Sequence, residues 1–223
     1  METEIERRGG DVANQATNEQ VFDPIREVIA AIGRGEMVVM VDDEDRENEG
    51  DLVVAAEHAT SDVVTFMITH ARGLVCLTLT AGRARELDLS PMVAVNGDHR
   101  GTAFTVSIDG TPANGVTTGI SAAERATTIA LAVTGSADDL QRPGHIFPLI
   151  ARDGGVLVRP GHTEASVDVA RLAGCAPAGV IVEIIGEDGE MLRRDALRRF
   201  AARHGLLMTS IEQLRTYLLE RND

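Results

Sequence analysis

Apolar residues along the chain fall into two patterns: short unbroken runs, and positions spaced three and four apart. The unbroken runs at 37–41, 52–56, 74–80, 103–108, 146–150, 156–159, 178–185 and 206–208 predict strands. Ile25, Val28, Ile29 and Ile32 place one apolar stripe on a helix that Asp23-Pro24 opens and Gly33 or Gly35 stops. Val64, Met67 and Ile68 mark a second helix within 61–71, and a short one fits 83–87. Further helices are predicted over 122–133, 164–173, 195–202 and 210–219, with Ser121 and Glu124 reading as a capping box for the first of these. Residues 1–20 are polar and aperiodic and predict a mobile tail. Residues 134–144 read as a loop. Strands and helices alternate in mixed order over 21–220, which predicts a single α+β domain, a layered α/β sandwich with a mixed sheet flanked by helices.

One polar segment breaks this rhythm. Between the runs at 37–41 and 52–56, residues 42–51 carry seven carboxylates, with Arg46, Asn48 and Gly50 among them. A solvated acidic turn would explain it. A fixed guanidinium fork inside the acids suits a phosphate better, and Gly50 suggests a tight bend. A calcium loop counted from Asp45 fails, because its twelfth position is Ala56 rather than a bidentate glutamate.

Charge and composition narrow the classes. The formal net charge is −14, a poor match to nucleic acid or an anionic membrane. No apolar stretch approaches a membrane span and the start lacks a signal-peptide core. Cys76 and Cys175 are too few for a disulfide framework and form no CxxC pair. These features predict a cytoplasmic protein. The chain also has no lysine. Schiff-base chemistry and a lysine phosphate loop are therefore out of reach, so enediolate chemistry would need a metal ion or hydrogen-bond donors.

Three further segments carry candidate chemistry. Arg159-Pro160-Gly161-His162-Thr163 joins a predicted strand to a predicted helix capped by Thr163, either an ordinary turn or an anion site. His162 can ligate a metal or move a proton. Arg142-Pro143-Gly144-His145 repeats the chemistry with a second histidine. Glu183 sits among apolar neighbours, which is costly unless it is paired or faces outward at a sheet edge. Cys76 reads as a small core residue.

In order along the chain, DDEDRENEGD, GTAFTVSID with TTGISAAERA, RPGHIFPL and GHTEASVDVARLAG with PAGVIVEI resemble the 3,4-dihydroxy-2-butanone 4-phosphate synthase family. The resemblance spans about residues 22–217. It implies a magnesium- or manganese-dependent lyase of riboflavin biosynthesis, with two ions per site. The reaction converts D-ribulose 5-phosphate to 3,4-dihydroxy-2-butanone 4-phosphate plus formate through a metal-stabilised enediolate. It also implies a homodimer with sites at the interface, and a stand-alone form without the GTP cyclohydrolase II half. Carried over residue by residue, it puts substrate binding on Arg46, Glu47, Asp51, Arg159, Pro160, Gly161, His162, Thr163 and Glu183. Metal ligation falls on Glu47 and His162, and catalysis on His145, Glu183 and Asp51. Pro160 is the one local departure from the family pattern.

Overall fold

The computed structural model describes residues 21–222; the tail expected over 1–20 lies outside them. Seven strands, β1 Val38–Val41, β2 Gly50–Ala55, β3 Cys76–Thr80, β4 Ile108–Gly110, β5 Leu140–Ala151, β6 Ala178–Glu183 and β7 Leu207–Ser210, form one sheet in the order β4-β5-β3-β6-β2-β1-β7. β3 and β5 are parallel, as are β1 and β7; the other neighbours are antiparallel, so the sheet is mixed. Among the described residues there are seven α-helices: α1 Ile25–Gly33, α2 Ser61–Phe66, α3 Ala81–Glu86, α4 Ala122–Thr134, α5 His162–Leu172, α6 Arg194–His204 and α7 Ile211–Asn222.

Alternation along the strands divides the core. Val39, Leu52, Val54, Leu77, Val180 and Val182 face α2, α4 and α6, while Met40, Val53, Cys76 and Ile181 face α1, α5 and α7. The result is the expected α+β sandwich in three layers. The central strands β2 and β6 are covered on both faces, and each fully buried aliphatic side chain contributes about 1.5–3 kcal/mol. α5 lies close against the sheet because Gly179 has no side chain: a Cβ there would meet the Ser166 Cβ at 2.8 Å. Ser166 Oγ lies 2.7 Å from Thr78 Oγ1, so the buried hydroxyls satisfy each other.

Several local expectations are corrected. Residues 156–159 form no strand: Gly155–Leu157 is one turn of tight helix, entered through left-handed Gly154 and Gly155, with Val156 buried. Residues 140–144, expected in a loop, belong to β5, where Leu140 and Gln141 pair with Gly110 and Asp109 of β4 and the following residues bulge before Ile146 pairs with Ile108. Pro24, not Asp23, is the N-cap of α1. Asp23 instead accepts from Arg198 and the Met208 amide. The helix at 61–71 changes after Phe66 to a wider π turn, Met67–Ala71. Ser121 caps α4 as expected, but the Glu124 carboxylate reaches back to Thr117, Thr118 and Gly119 rather than to the Ser121 amide. The Thr117 hydroxyl and amide hold the Glu124 pKa down at about 2. No helix among the described residues is long and apolar enough to cross a membrane.

Candidate active site

The segment after β1 is an ordered loop organised by Asp42. Its buried carboxylate accepts the amides of Glu47 at 3.0 Å and Glu49 at 2.9 Å, and Arg46 Nη1 at 2.9 Å. From the start of α6, Arg193 clamps the Glu47 and Asn48 carbonyls. The bend falls at Asn48, whose φ is +56°. Gly50, expected to make it, is in β2 opposite Val41. It is a glycine for a different reason: a Cβ would meet Leu197 of α6 at 2.5 Å.

β2 continues directly into the site. Asp51 pairs with Met40 on one side and Glu183 on the other, so both carboxylates point to the α5 face. Glu183 is therefore on a central strand, not at an edge. Its Oε2 accepts the Leu74 amide at 2.8 Å, and Gly73 gives the carboxylate room. Asp51 is buried and its Oδ1 has no hydrogen-bond partner among the described residues. Burial, then the charges of Glu183, Glu49, Glu47 and Asp42, push its pKa well above the usual aspartate range. The same burial and the charges of Glu183 and Asp51 push the neighbouring Cys76 thiol up, so it stays protonated.

His162 opens α5 directly above this row. Its Nε2 lies 3.1 Å from the Met40 carbonyl oxygen, an acceptor only. That nitrogen therefore carries the proton and Nδ1 keeps its lone pair. Nδ1 faces Glu47 Oε2 and Asp51 Oδ2, each at 3.9 Å. Burial lowers the His162 pKa, favouring the neutral ring.

Ligand atoms of Asp42, Glu47 and His162 lie within 4.8 Å of one another. A divalent cation fits this donor set: two carboxylates and one imidazole lone pair, beside a buried carboxylate oxygen that lacks a partner. Asp42 is already engaged by two amides and Arg46, whereas the Glu47 carboxylate meets Arg46 alone and His162 uses only Nε2, on the Met40 carbonyl.

Two guanidiniums lie beside these donors. Arg46 Nη1 contacts Glu47 Oε2 at 2.5 Å, and Gly161 lies against both Arg46 and Arg159. Arg159 donates to Glu164 Oε2 at 2.7 Å, Thr102 Oγ1 at 3.2 Å and the Arg100 carbonyl. Arg100 in turn donates to the Arg46 carbonyl. Thr163, expected as the N-cap, is buried in the first turn, and Gly161 is the cap. The amides of residues 162–164 precede the first intrahelical bond, from Ala165 to Gly161. Two guanidiniums and a helix start can thus receive one anion. Pro160 is exposed beside them.

Of the residues singled out in the sequence, Arg46, Glu47, Asp51, Arg159, Gly161, His162, Thr163 and Glu183 converge. His145 stands apart. It lies on β5, two strands from β6, roughly 10 Å at ordinary strand spacing. Its Nδ1 is 2.7 Å from Asp109 Oδ2 and its amide donates to Asp109 Oδ1, while the side chain is 44% exposed. Asp42, Asp109 and Arg100 were not foreseen. Asp42 looks like its acidic neighbours, and Asp109 follows the run predicted as a strand at 103–108, whereas it lies within β4, Ile108–Gly110.

Comparison with known proteins is consistent in every direction. Residues 26–217 match the family model for 3,4-dihydroxy-2-butanone 4-phosphate synthase. Riboflavin biosynthesis protein RibBA of Aquifex aeolicus is 55% identical over 202 residues, covering 90% of this chain and 50% of that protein. The 3,4-dihydroxy-2-butanone 4-phosphate synthase of Pseudomonas syringae pv. tomato is 55% identical over 200 residues, covering 89% and 54%. The chain spans about half the length of the curated relatives it matches. A crystal structure of a 3,4-dihydroxy-2-butanone 4-phosphate synthase in complex with two magnesium ions superposes with a TM-score of 0.84 at 44% identity, covering 89% of this chain and 98% of that one.

Proposed function

The chain belongs to the 3,4-dihydroxy-2-butanone 4-phosphate synthase family, and from that premise we propose that it is a lyase of riboflavin biosynthesis. Its substrate is D-ribulose 5-phosphate, and its products are 3,4-dihydroxy-2-butanone 4-phosphate and formate. The observation that carries this reading is the convergence of Arg46, Glu47, Asp51, His162 and Glu183 at one end of the central strands.

In this reading Arg46, Arg159 and the amides opening α5 bind the phosphate, with Thr163 beside them. Glu47 and His162 hold Mg²⁺, or Mn²⁺ in its place, two ions per site. What the ions supply when bound is positive charge next to the ketose oxygens. Asp51, whose pKa is raised by burial, is suited to donate a proton where a neighbouring carboxylate accepts one. Glu183, held by the Leu74 amide, is oriented to take up that second role. The buried setting under α5 keeps water from the reactive sugar. The acidic composition and two unpaired cysteines suit a cytoplasmic setting.

A homodimer completes the reading. Met92, Val93, Val95 and Val158 are exposed apolar residues on segments adjoining Arg100 and Arg159, as an interface patch would be. The His145 side chain bonds to Asp109, not to a clustered site residue of its own chain. It is oriented by Asp109, and acts in the partner's site. The element that carries His145 is β5, Leu140–Ala151.

The deciding experiment is incubation with ribulose 5-phosphate and Mg²⁺, assaying formate and the four-carbon product. Both are expected, and excess chelator is expected to abolish them. Ketose turnover without formate would point to an isomerase or epimerase. Sharing of the site is tested by mixing inactive Glu47→Gln with inactive His145→Ala. Recovery of about one quarter of parent activity is expected once subunits exchange, because roughly half the dimers are mixed and each has one intact site. No recovery despite exchange would put both residues in one subunit's site.

A further inference from the structure

A second cluster of ligating side chains lies at the other end of β2, roughly 15 Å from Asp51 by strand rise. Glu57 and His58 follow that strand, and Cys175 follows α5. Ligand atoms of the three lie within 4.8 Å of one another. The cluster shares no residue with the site described above.

Each side chain or its backbone is anchored so that one donor atom is left facing the others. Glu57 Oε2 accepts the Ala176 amide at 2.7 Å, which leaves Oε1 3.7 Å from His58 Nε2. The His58 ring lies against Gly35, which at φ +82° has no side chain to displace it, with Nδ1 on the Gly35 side and Nε2 outward. The Cys175 amide donates to Ala170 at 3.0 Å, and its Sγ is 3.8 Å from the same Nε2. A tetrahedral ion with a sulfur bond of about 2.3 Å and a nitrogen bond of about 2.0 Å holds those two donors roughly 3.5 Å apart; nitrogen and oxygen sit about 3.4 Å apart. Both observed separations are within a few tenths of an ångström of those values. A 3.8 Å S···N contact is also too long for a strong hydrogen bond.

We propose that Glu57, His58 and Cys175 form a second divalent-metal site that takes a thiophilic ion of the Zn²⁺ class. A thiolate, an imidazole and one carboxylate select Zn²⁺ over Mg²⁺, which prefers oxygen donors and six ligands. Glu57 is exposed, so the fourth position is open to water. Binding converts the thiol to a metal thiolate and releases its proton to solvent, with no electron transferred. The site ties the end of α5 to the end of β2.

Co²⁺ serves as the probe, titrated into the full chain with Mg²⁺ in excess. A sulfur-to-cobalt charge-transfer band is expected, saturating at one ion per chain, because Glu47 and His162 offer no sulfur. Cys175→Ser should erase the band and Cys76→Ser leave it. His58→Ala should weaken Co²⁺ binding by about tenfold or more. Absence of the band, its survival in Cys175→Ser, or a need for millimolar Co²⁺ would overturn the proposal. If Cys175→Ser does not fold, alkylation of Cys175 in the parent decides: Zn²⁺ should protect it, and an unchanged alkylation rate overturns the site.

Discussion

Asp51 has a buried carboxyl group with one oxygen unpartnered and like charges around it. Its folded pKa lies above its unfolded one, so the folded state binds more protons, and stability falls as pH rises from the ordinary aspartate range toward the folded pKa. Asp51→Asn should therefore stabilise the metal-free chain at neutral pH by about 1 kcal/mol, while formate production is lost. The gain should vanish below about pH 3, where aspartate is protonated in both states. Urea titrations of both chains in chelator check this, and a variant less stable at every pH would refute it. Arg159 gives a contrasting case. Its fork already spans Glu164, Thr102 and the Arg100 carbonyl, and a lysine cannot make all of these contacts and meet a phosphate. Arg159→Lys should weaken ribulose 5-phosphate binding by about tenfold, or about 1.4 kcal/mol, without unfolding; equal affinity would remove Arg159 from the phosphate site. The sequence pointed to most of these residues through unusual chemistry: a guanidinium among acids, a carboxylate among aliphatics. It did not separate Asp42 from Asp43, Glu44 and Asp45, because only the backbone of the folded loop turns amides onto one of four similar acids.

Elements place those residues, and the tightest placement is Gly144 of β5. A Cβ there would collide with the backbone of Ile108 and Asp109. Gly144→Ala should push β4 from β5, costing about 1–3 kcal/mol and releasing Asp109 from His145. A lower unfolding midpoint with formate production reduced beyond what the unfolded fraction explains is the expected result; parent-like values for both would contradict it. Gly144 also explains why the loop reading failed over 140–144: Arg-Pro-Gly resembles a loop when backbone neighbours are unknown, yet at a β-bulge beside a short strand it is tolerated. The opposite error occurred at 156–159, where an apolar run too short to show a period was read as a strand. α1, with its apolar stripe, and α4, with its Ser121 cap, came out within a residue or two. The alternation of elements was enough to identify the layered α+β architecture, because each layer must bury one apolar face.

For the molecule as a whole, the acidic loop and the metal reading are thermodynamically linked. Ions that bind only the folded chain raise its stability in proportion to the logarithm of their concentration. Mg²⁺ should therefore raise the thermal midpoint, and Glu47→Gln should lose most of that rise while remaining folded; an equal rise in both would remove Glu47 from the ligand set. The pairing of Asp51 with Glu183 has a further consequence, for the assembly of the fold rather than its chemistry. β2 and β6 are almost wholly aliphatic, and aliphatic strands buried on both faces say little about their own alignment. A slip of one residue turns every side chain to the other face. Here such a slip would drive Asp51 into the apolar layer between the sheet and α2, α4 and α6, a penalty that exchanging one valine for another does not carry. The carboxylates that make the site thus act as alignment marks while the chain collapses, and replacing both with apolar residues would leave a protein with less to tell the right pairing from its neighbours.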